Sequence, residues 1–63
     1  MGLFGAFNNM KQKVGELEVD LAKFENSGNN AAGTQARVEL QAIKKLAQEM
    51  RAEISTIKQK RKG

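Results

Sequence analysis

Apolar residues recur at alternating steps of four and three along two long stretches of this chain. The first stretch has them at Leu3, Phe7, Met10, Val14, Leu17, Leu21 and Phe24. The second stretch has them at Ala36, Leu40, Ile43, Ala47, Met50, Ile54 and Ile57. This heptad spacing places each set along one stripe of an α-helix, whereas a strand would need an apolar residue at every second position. The sequence therefore predicts two amphipathic helices and no sheet.

A small, polar segment, SGNNAAGTQAR at residues 27–37, separates the two stretches. Gly28 suits the left-handed conformation that closes a helix, and Asn29 or Asn30 can cap the next helix by accepting a backbone N–H. Because the connection is short, the helices should fold back on each other as an antiparallel hairpin.

The fold class that we expect is all-α. The expected parts are a helical hairpin over residues 1–57, with helix one at about 5–26, a turn at 27–30 and helix two at 31–57, and then a basic C-terminal tail at 58–63.

A single hairpin of this size buries too little surface to be stable by itself. The chain has 63 residues with neither Cys nor His, so it lacks disulfides and the usual ligands of a structural metal. We therefore expect a homodimer that forms a four-helix bundle with coiled-coil packing, and a homotetramer is the alternative. The predicted oligomer core consists of Phe7, Met10, Val14, Leu17, Leu21, Phe24, Leu40, Ile43, Ala47, Met50, Ile54 and Ile57.

The same composition argues against an enzyme. Without Cys or His the chain has no thiol nucleophile and no imidazole base, and two helices offer no obvious concave pocket. We expect no catalytic residue, no cofactor and no metal site. No apolar run reaches the roughly 20 residues that span a membrane, and the first residues do not resemble a secretory signal, so we expect a cytoplasmic protein.

Positive charge is concentrated at the C-terminus. The net charge is +4, yet residues 1–57 hold seven bases and seven acids. The whole excess comes from Lys58, Lys60, Arg61 and Lys62. Such a cluster seeks an anion, either a nucleic acid or an acidic membrane surface. No aromatic residue is interleaved with these bases, which argues against stacking on single-stranded bases.

A second basic feature is a row with a heptad period on helix two, at Arg37, Lys44, Arg51 and Lys58. Such a row can follow a phosphate backbone. Its half nearest the turn can instead pair with helix one, Arg37 with Glu25 and Lys44 with Glu18. Arg51 and Lys58 face no obvious acid, so they are the better candidates for an outside partner.

The start of helix two is nearly bare, with Ala31, Ala32 and Gly33 in its first turns. A bare helix start can approach a surface closely, and its free N–H groups favour an anion such as phosphate. Close packing at the corner of the hairpin explains the small residues equally well. The residues alone leave both interpretations open.

The segments GNNAAGTQAR and LQAIKKLAQEMRAEI resemble the small bacterial linker-histone-like proteins, a family that includes the chlamydial histone-like nucleoid proteins. Members carry a motif of the type Gly-Asn-Lys-Ala-Ala-Gly-Thr-Arg-x-Arg followed by an amphipathic helix. The resemblance covers about residues 21–60. The motif positions that match are Gly28, Asn29, Ala31, Ala32, Gly33, Thr34 and Arg37.

Two departures from the motif remove positive charge. Asn30 stands where the family has Lys, and Gln35 stands where it has Arg. The family also has a long Lys/Ala-rich tail, of which KQKRKG is the counterpart here. The resemblance implies sequence-independent binding of double-stranded DNA and a role in organising the nucleoid, and the departures imply that binding is weak and sensitive to salt.

The predicted DNA contacts fall into two groups. The charged group is Arg37, Arg51, Lys58, Lys60, Arg61 and Lys62. The group that would approach the DNA closely is Gly28, Asn29, Asn30, Ala31, Gly33, Thr34 and Gln35.

Two other functions compete with DNA binding. One is a structural, self-associating helical module that binds another protein and no nucleic acid, which the electrically neutral body favours. The other is a lipid anchor in which Leu3, Phe4 and Phe7 enter a membrane. Because Leu3 and Phe7 continue the heptad stripe, we favour helix packing over the membrane for these residues.

Overall fold

A computed structural model describes residues 2–61, which form two α-helices, α1 (Leu3–Ser27) and α2 (Asn30–Arg61). The helices pack along each other and are joined by Gly28 and Asn29 alone, so they run antiparallel. The result is a rod of 55 × 15 × 14 Å. The predicted all-α hairpin is confirmed. Neither helix has, within the described part of the chain, an apolar stretch that could cross a bilayer.

The chain reverses within two residues because both helix ends are capped there. Gly28 has φ 65° and ψ 28°, the left-handed conformation that glycine adopts without steric penalty. Its N–H donates to the Phe24 carbonyl at 3.1 Å, and the Asn29 N–H donates to the Lys23 carbonyl at 3.4 Å. The Asn29 Oδ1 accepts the Ala32 N–H at 3.1 Å, so Asn29 is the N-cap of α2.

The two helices meet along an inner face that is made largely of small and half-buried residues. Ala6 of α1 and Ala32 and Ala36 of α2 are the buried apolar residues of this face, with 3–6% of their surface exposed. The larger half-buried apolar residues of this face include Met10, Leu17, Ile43, Leu46, Met50 and Ile57. Alanine at both ends of the face lets the helix backbones approach closely.

Several residues of the predicted heptad stripe lie outside this contact. Five of them are each 42–49% exposed. We call these residues the outer apolar row, and they are Phe7, Val14, Leu21, Leu40 and Ile54. These residues occupy alternate positions of the heptad stripe, whereas the inner face uses most of the remaining stripe positions and flanking residues such as Ala6 and Leu46. A helix with one neighbour buries one side only, and the outer apolar row is left on the other side of the stripe.

Gly33 provides a close contact between the helices beside the turn. A Cβ atom added there would lie 2.6 Å from Cδ1 and 2.7 Å from Cε1 of the Phe24 ring. The absence of a side chain at Gly33 therefore lets the ring of Phe24 lie against the backbone of α2. This contact fixes how α1 and α2 leave the turn.

A buried carboxyl group lies in the middle of the inner face. Glu39 of α2 is only 3% exposed, and its Oε1 has no hydrogen-bond partner. Burial raises the pKa of Glu39, and a hydrogen bond with Asp20 of α1 and the charge of Asp20 raise it further. The hydrogen bond from Gln35 acts in the opposite direction, and the charge of Glu16 again raises the pKa. The hairpin thus brings two acids together across its interface.

Alanine substitution at two glycines should have opposite effects on stability. Gly33→Ala places a methyl group into the Phe24 ring, and we expect a loss of about 1–3 kcal/mol, the usual range for overpacking. Gly15 lies inside α1 with open space around it, and Gly15→Ala should add about 0.5–1 kcal/mol through helix propensity. Urea unfolding followed by circular dichroism measures both. An equal gain at both positions would show that the Phe24 contact is absent.

The raised pKa of Glu39 makes the hairpin less stable as the pH rises. Stability is greatest below the ordinary glutamate pKa of about 4.3 and falls as pH increases through the raised pKa, because ionisation leaves a charge buried beside Asp20. Glu39→Gln should raise the melting temperature at pH 7 and flatten its dependence on pH. Glu49→Gln, at an exposed position of the same helix, should leave that dependence in place. Thermal melts from pH 4 to 7 at fixed protein concentration test this, and identical pH profiles for the two variants would contradict it.

Candidate nucleic-acid interface

Charge is divided unevenly between the two helices. The bases of α1 are Lys11, Lys13 and Lys23, and its acids are Glu16, Glu18, Asp20 and Glu25. The bases of α2 are Arg37, Lys44, Lys45, Arg51, Lys58, Lys60 and Arg61, and its acids are Glu39, Glu49 and Glu53. Three bases against four acids give α1 a net charge of −1, and seven against three give α2 a net charge of +4. An anionic ligand is therefore attracted to α2.

The salt bridges predicted between the helices are wrong. Within residues 2–61 the ion pair that forms lies inside α1, between Lys13 Nζ and Glu16 Oε1 at 3.5 Å. Neither Arg37 with Glu25 nor Lys44 with Glu18 pairs, and all four side chains are exposed. These residues lie four positions after the heptad positions of the outer apolar row on each helix, so they flank the outer surface instead of the contact between α1 and α2. The basic row of α2 is consequently open to a ligand or a partner.

The basic end of α2 projects beyond the rest of the molecule. α2 has 32 residues and α1 has 25, and both are anchored at the turn, so α2 extends about 10 Å further. This overhang carries Lys58, Lys60 and Arg61, which are exposed and belong to α2, so the described part of the predicted basic tail at 58–63 is helical. Lys62 lies outside the described residues. Ser55, Lys58, Gln59 and Arg61 surround an open depression of about 550 Å³.

Most of the motif residues at the turn have a structural role within the hairpin. Gly28 has the left-handed conformation, Asn29 caps α2, and Gly33 contacts Phe24. Thr34 donates its hydroxyl to the Asn30 carbonyl at 3.3 Å, and Gln35 contacts the carboxyl of Glu39.

Asn30 and Ala31 are the predicted contact residues that remain exposed on the first turn of α2. Corner packing therefore accounts for much of the motif, and a role of the motif in DNA contact remains a prediction.

The predicted oligomer core is divided between two surfaces. Met10, Leu17, Ile43, Ala47, Met50 and Ile57 are half-buried in the hairpin. Phe7, Val14, Leu21, Phe24, Leu40 and Ile54 are 42–49% exposed. Periodicity alone could not separate the two groups, and it gave no signal for Glu39 or Asp20, which are polar residues of the inner face.

The capping role of Asn29 predicts a difference between two adjacent asparagines. Asn29→Ala removes the oxygen that accepts the Ala32 N–H and should lower stability by about 1 kcal/mol. Asn30→Ala changes an exposed residue and should stay within about 0.5 kcal/mol of the parent. Urea unfolding measures both values. Equal losses would mean that the cap is not what distinguishes the two positions.

Comparison with known protein families gives a match that covers most of the chain. The model of the family described as histone H1-like protein Hc1 matches residues 5–60. The match includes the segments GNNAAGTQAR and LQAIKKLAQEMRAEI and extends over nearly all of α1. Neither a search of curated proteins nor a search of solved structures gave a match.

Proposed function

Because the chain belongs to the histone H1-like protein Hc1 family, we propose that it binds double-stranded DNA through phosphate contacts, without sequence readout, and helps to organise the nucleoid. The match over residues 5–60 is the observation on which this proposal depends most. The proposed role is that of a binding protein and not of an enzyme. Its site of action would be the bacterial nucleoid in the cytoplasm.

The overhang of α2 supports this proposal because it presents charge on a rigid element. Lys58, Lys60 and Arg61 are exposed on a helix that projects past α1, so a DNA backbone can approach them from several sides. Within residues 2–61 none of these bases takes part in an ion pair. Bases that are not neutralised by the protein itself are free to displace counterions from DNA, which is the main source of affinity without sequence readout.

Arg51 and Arg37 extend the positive surface along α2 toward the turn. Both are exposed and belong to the row that recurs every seven residues. At the turn, the exposed start of α2 adds backbone N–H groups and the positive end of the helix dipole. Its contribution to binding should be small, since Asn30 and Gln35 replace the two bases of the family motif.

A structural module that binds another protein and no nucleic acid is the second candidate. The half-exposed outer apolar row favours it, because an apolar surface of this kind is typical of protein contacts. The two functions are compatible in one molecule, since the row and the overhang lie at different places on the rod. They make different predictions about the effect of charge removal at the overhang.

Removal of the overhang charges should weaken DNA binding and its salt dependence together. The test variant is Lys58→Gln/Lys60→Gln/Arg61→Gln, measured against the parent by gel shift on duplex DNA over a salt series. Each phosphate contact contributes about 0.9 to the slope of log K against log salt, so three lost contacts should reduce that slope by up to roughly 2.7. Two duplexes of unrelated sequence should give the same affinity.

The control changes the net charge equally at exposed positions away from the overhang. Lys11→Gln/Lys23→Gln/Lys45→Gln also removes three bases and should retain most of the salt dependence. If the two triple variants lose affinity equally, net charge and not the overhang determines binding. If the parent protein does not bind duplex DNA in dilute buffer, the DNA-binding function is wrong and the structural module remains.

A further inference from the structure

We propose that the outer apolar row is the contact surface for a second copy of this chain, with the two rods parallel and both turns at the same end. In this dimer α1 of each copy packs on α2 of the other. The proposal concerns the face, the pairing of helices and the orientation, and it does not depend on DNA binding.

The outer apolar row is a continuous surface that α1 and α2 build together. Phe7, Val14 and Leu21 come from α1, and Leu40 and Ile54 come from α2. An open groove of about 410 Å³ is lined by Val14, Leu17, Glu18 and Leu21. A second groove, of about 430 Å³, is lined in part by Leu21, Phe24, Ala36 and Leu40. Each row residue is still 42–49% exposed in the single hairpin, so a partner could bury much of its surface.

The edges of this surface carry opposite charges on the two helices. On α1 the residues four positions after those of the row are Lys11, Glu18 and Glu25, which are their neighbours on the helix surface, so the half of this edge near the turn is acidic. On α2 the corresponding residues are Arg37, Lys44, Arg51 and Lys58, all basic. Within residues 2–61 none of these side chains forms an ion pair inside the hairpin. The charges are therefore available to a partner whose edges have the reverse arrangement.

A second copy of the chain supplies that reverse arrangement in only one of two symmetric ways of stacking the faces. If the two-fold axis runs along the rod, α1 lies over the partner's α2 and the acidic edge meets the basic edge. If the axis runs across the rod, α2 lies over the partner's α2 and four bases meet four bases. Like charges placed opposite each other destabilise a contact. Charge complementarity thus selects the parallel arrangement.

The register of the parallel dimer follows from symmetry, because a two-fold axis along the rod permits no sliding. Counted from the turn, Arg37 lies between the levels of Glu18 and Glu25, within about 8 Å of each along the axis at 1.5 Å per residue. Lys44 lies similarly close to the level of Glu18 but about 3 Å from the level of Lys11, so the favourable pairing is mainly that of Arg37 with Glu18 and Glu25. Long basic side chains span such offsets. Arg51 and the overhang have no acid at their level and stay free.

The parallel arrangement also places the same end of each copy next to the same end of its partner. Both bare turns lie at one end of the dimer, and both basic overhangs lie at the other. The antiparallel alternative would put one overhang at each end. The orientation therefore determines whether the cationic ends of two copies form one cluster or two separate ones.

Sedimentation equilibrium of the full chain with matched variants tests the face. Leu40→Lys and Val38→Lys change residues of similar exposure, 49% and 56%, on different sides of α2. We expect the parent and Val38→Lys to form dimers, and Leu40→Lys to raise the dimer dissociation constant at least roughly tenfold. Equal effects of the two substitutions, or a folded parent that stays monomeric, would overturn the proposal.

Charge exchange provides a test that does not depend on the apolar core. Arg37→Glu should weaken the dimer, and combining it with Glu18→Lys and Glu25→Lys should restore it, because the pairing is regenerated with reversed sign. Circular dichroism of each variant reports whether the helices are intact. A restored charge pattern without restored association would contradict the proposed pairing.

Distance measurement tests the orientation. The chain has no cysteine, so Ser27→Cys gives a single spin label near the turn. Electron paramagnetic resonance should give a label separation below about 30 Å for parallel rods, whereas antiparallel rods of this length place the labels about 45 Å or more apart. The long distance would exclude the parallel dimer. A monomer that binds anionic vesicles through this face would assign the row to lipid and overturn the proposal as well.

Discussion

Each helix of this protein carries more apolar surface than one neighbouring helix can cover. The heptad pattern gives α1 and α2 two apolar positions in every seven residues, and the hairpin encloses only part of them. Alanines at Ala6, Ala32 and Ala36 bring the helices close along the inner face, which leaves larger residues such as Leu21 and Leu40 half-exposed. The division into an inner and an outer surface determines where charges, ligands and partners can be placed.

The sequence predicts the hairpin because its signals are local. Two heptad stretches, a glycine that accepts φ 65° and an asparagine that caps the next helix each act within a few residues. The rotation of each helix about its own axis is not determined by local sequence signals. It depends on contacts between the helices, namely that of Phe24 with Gly33 and those of the buried alanines. For this reason the expected pairs of Arg37 with Glu25 and Lys44 with Glu18 are wrong, although the residues have suitable charges.

The turn motif shows how a sequence feature can have a structural cause and a family resemblance at the same time. Gly28, Asn29 and Gly33 are each explained by the geometry of the corner. Glu39 could not be identified as a buried residue from periodicity, because its burial comes from packing against α1. The positive charge of α2, by contrast, can be read from the sequence, and the fold adds that its end projects beyond α1.

We propose different partners for different parts of one rod, with DNA at the basic end of α2 and a second copy of the chain at the outer apolar row. Titration of isotope-labelled protein with a short duplex in dilute buffer, followed by backbone NMR spectra, tests this assignment most directly. If DNA binds at the overhang, the shift changes should be concentrated at residues 58–61 and at the exposed start of α2, with Leu21 and Leu40 unchanged. Changes centred on Leu21 and Leu40, or no changes at any residue, would contradict it.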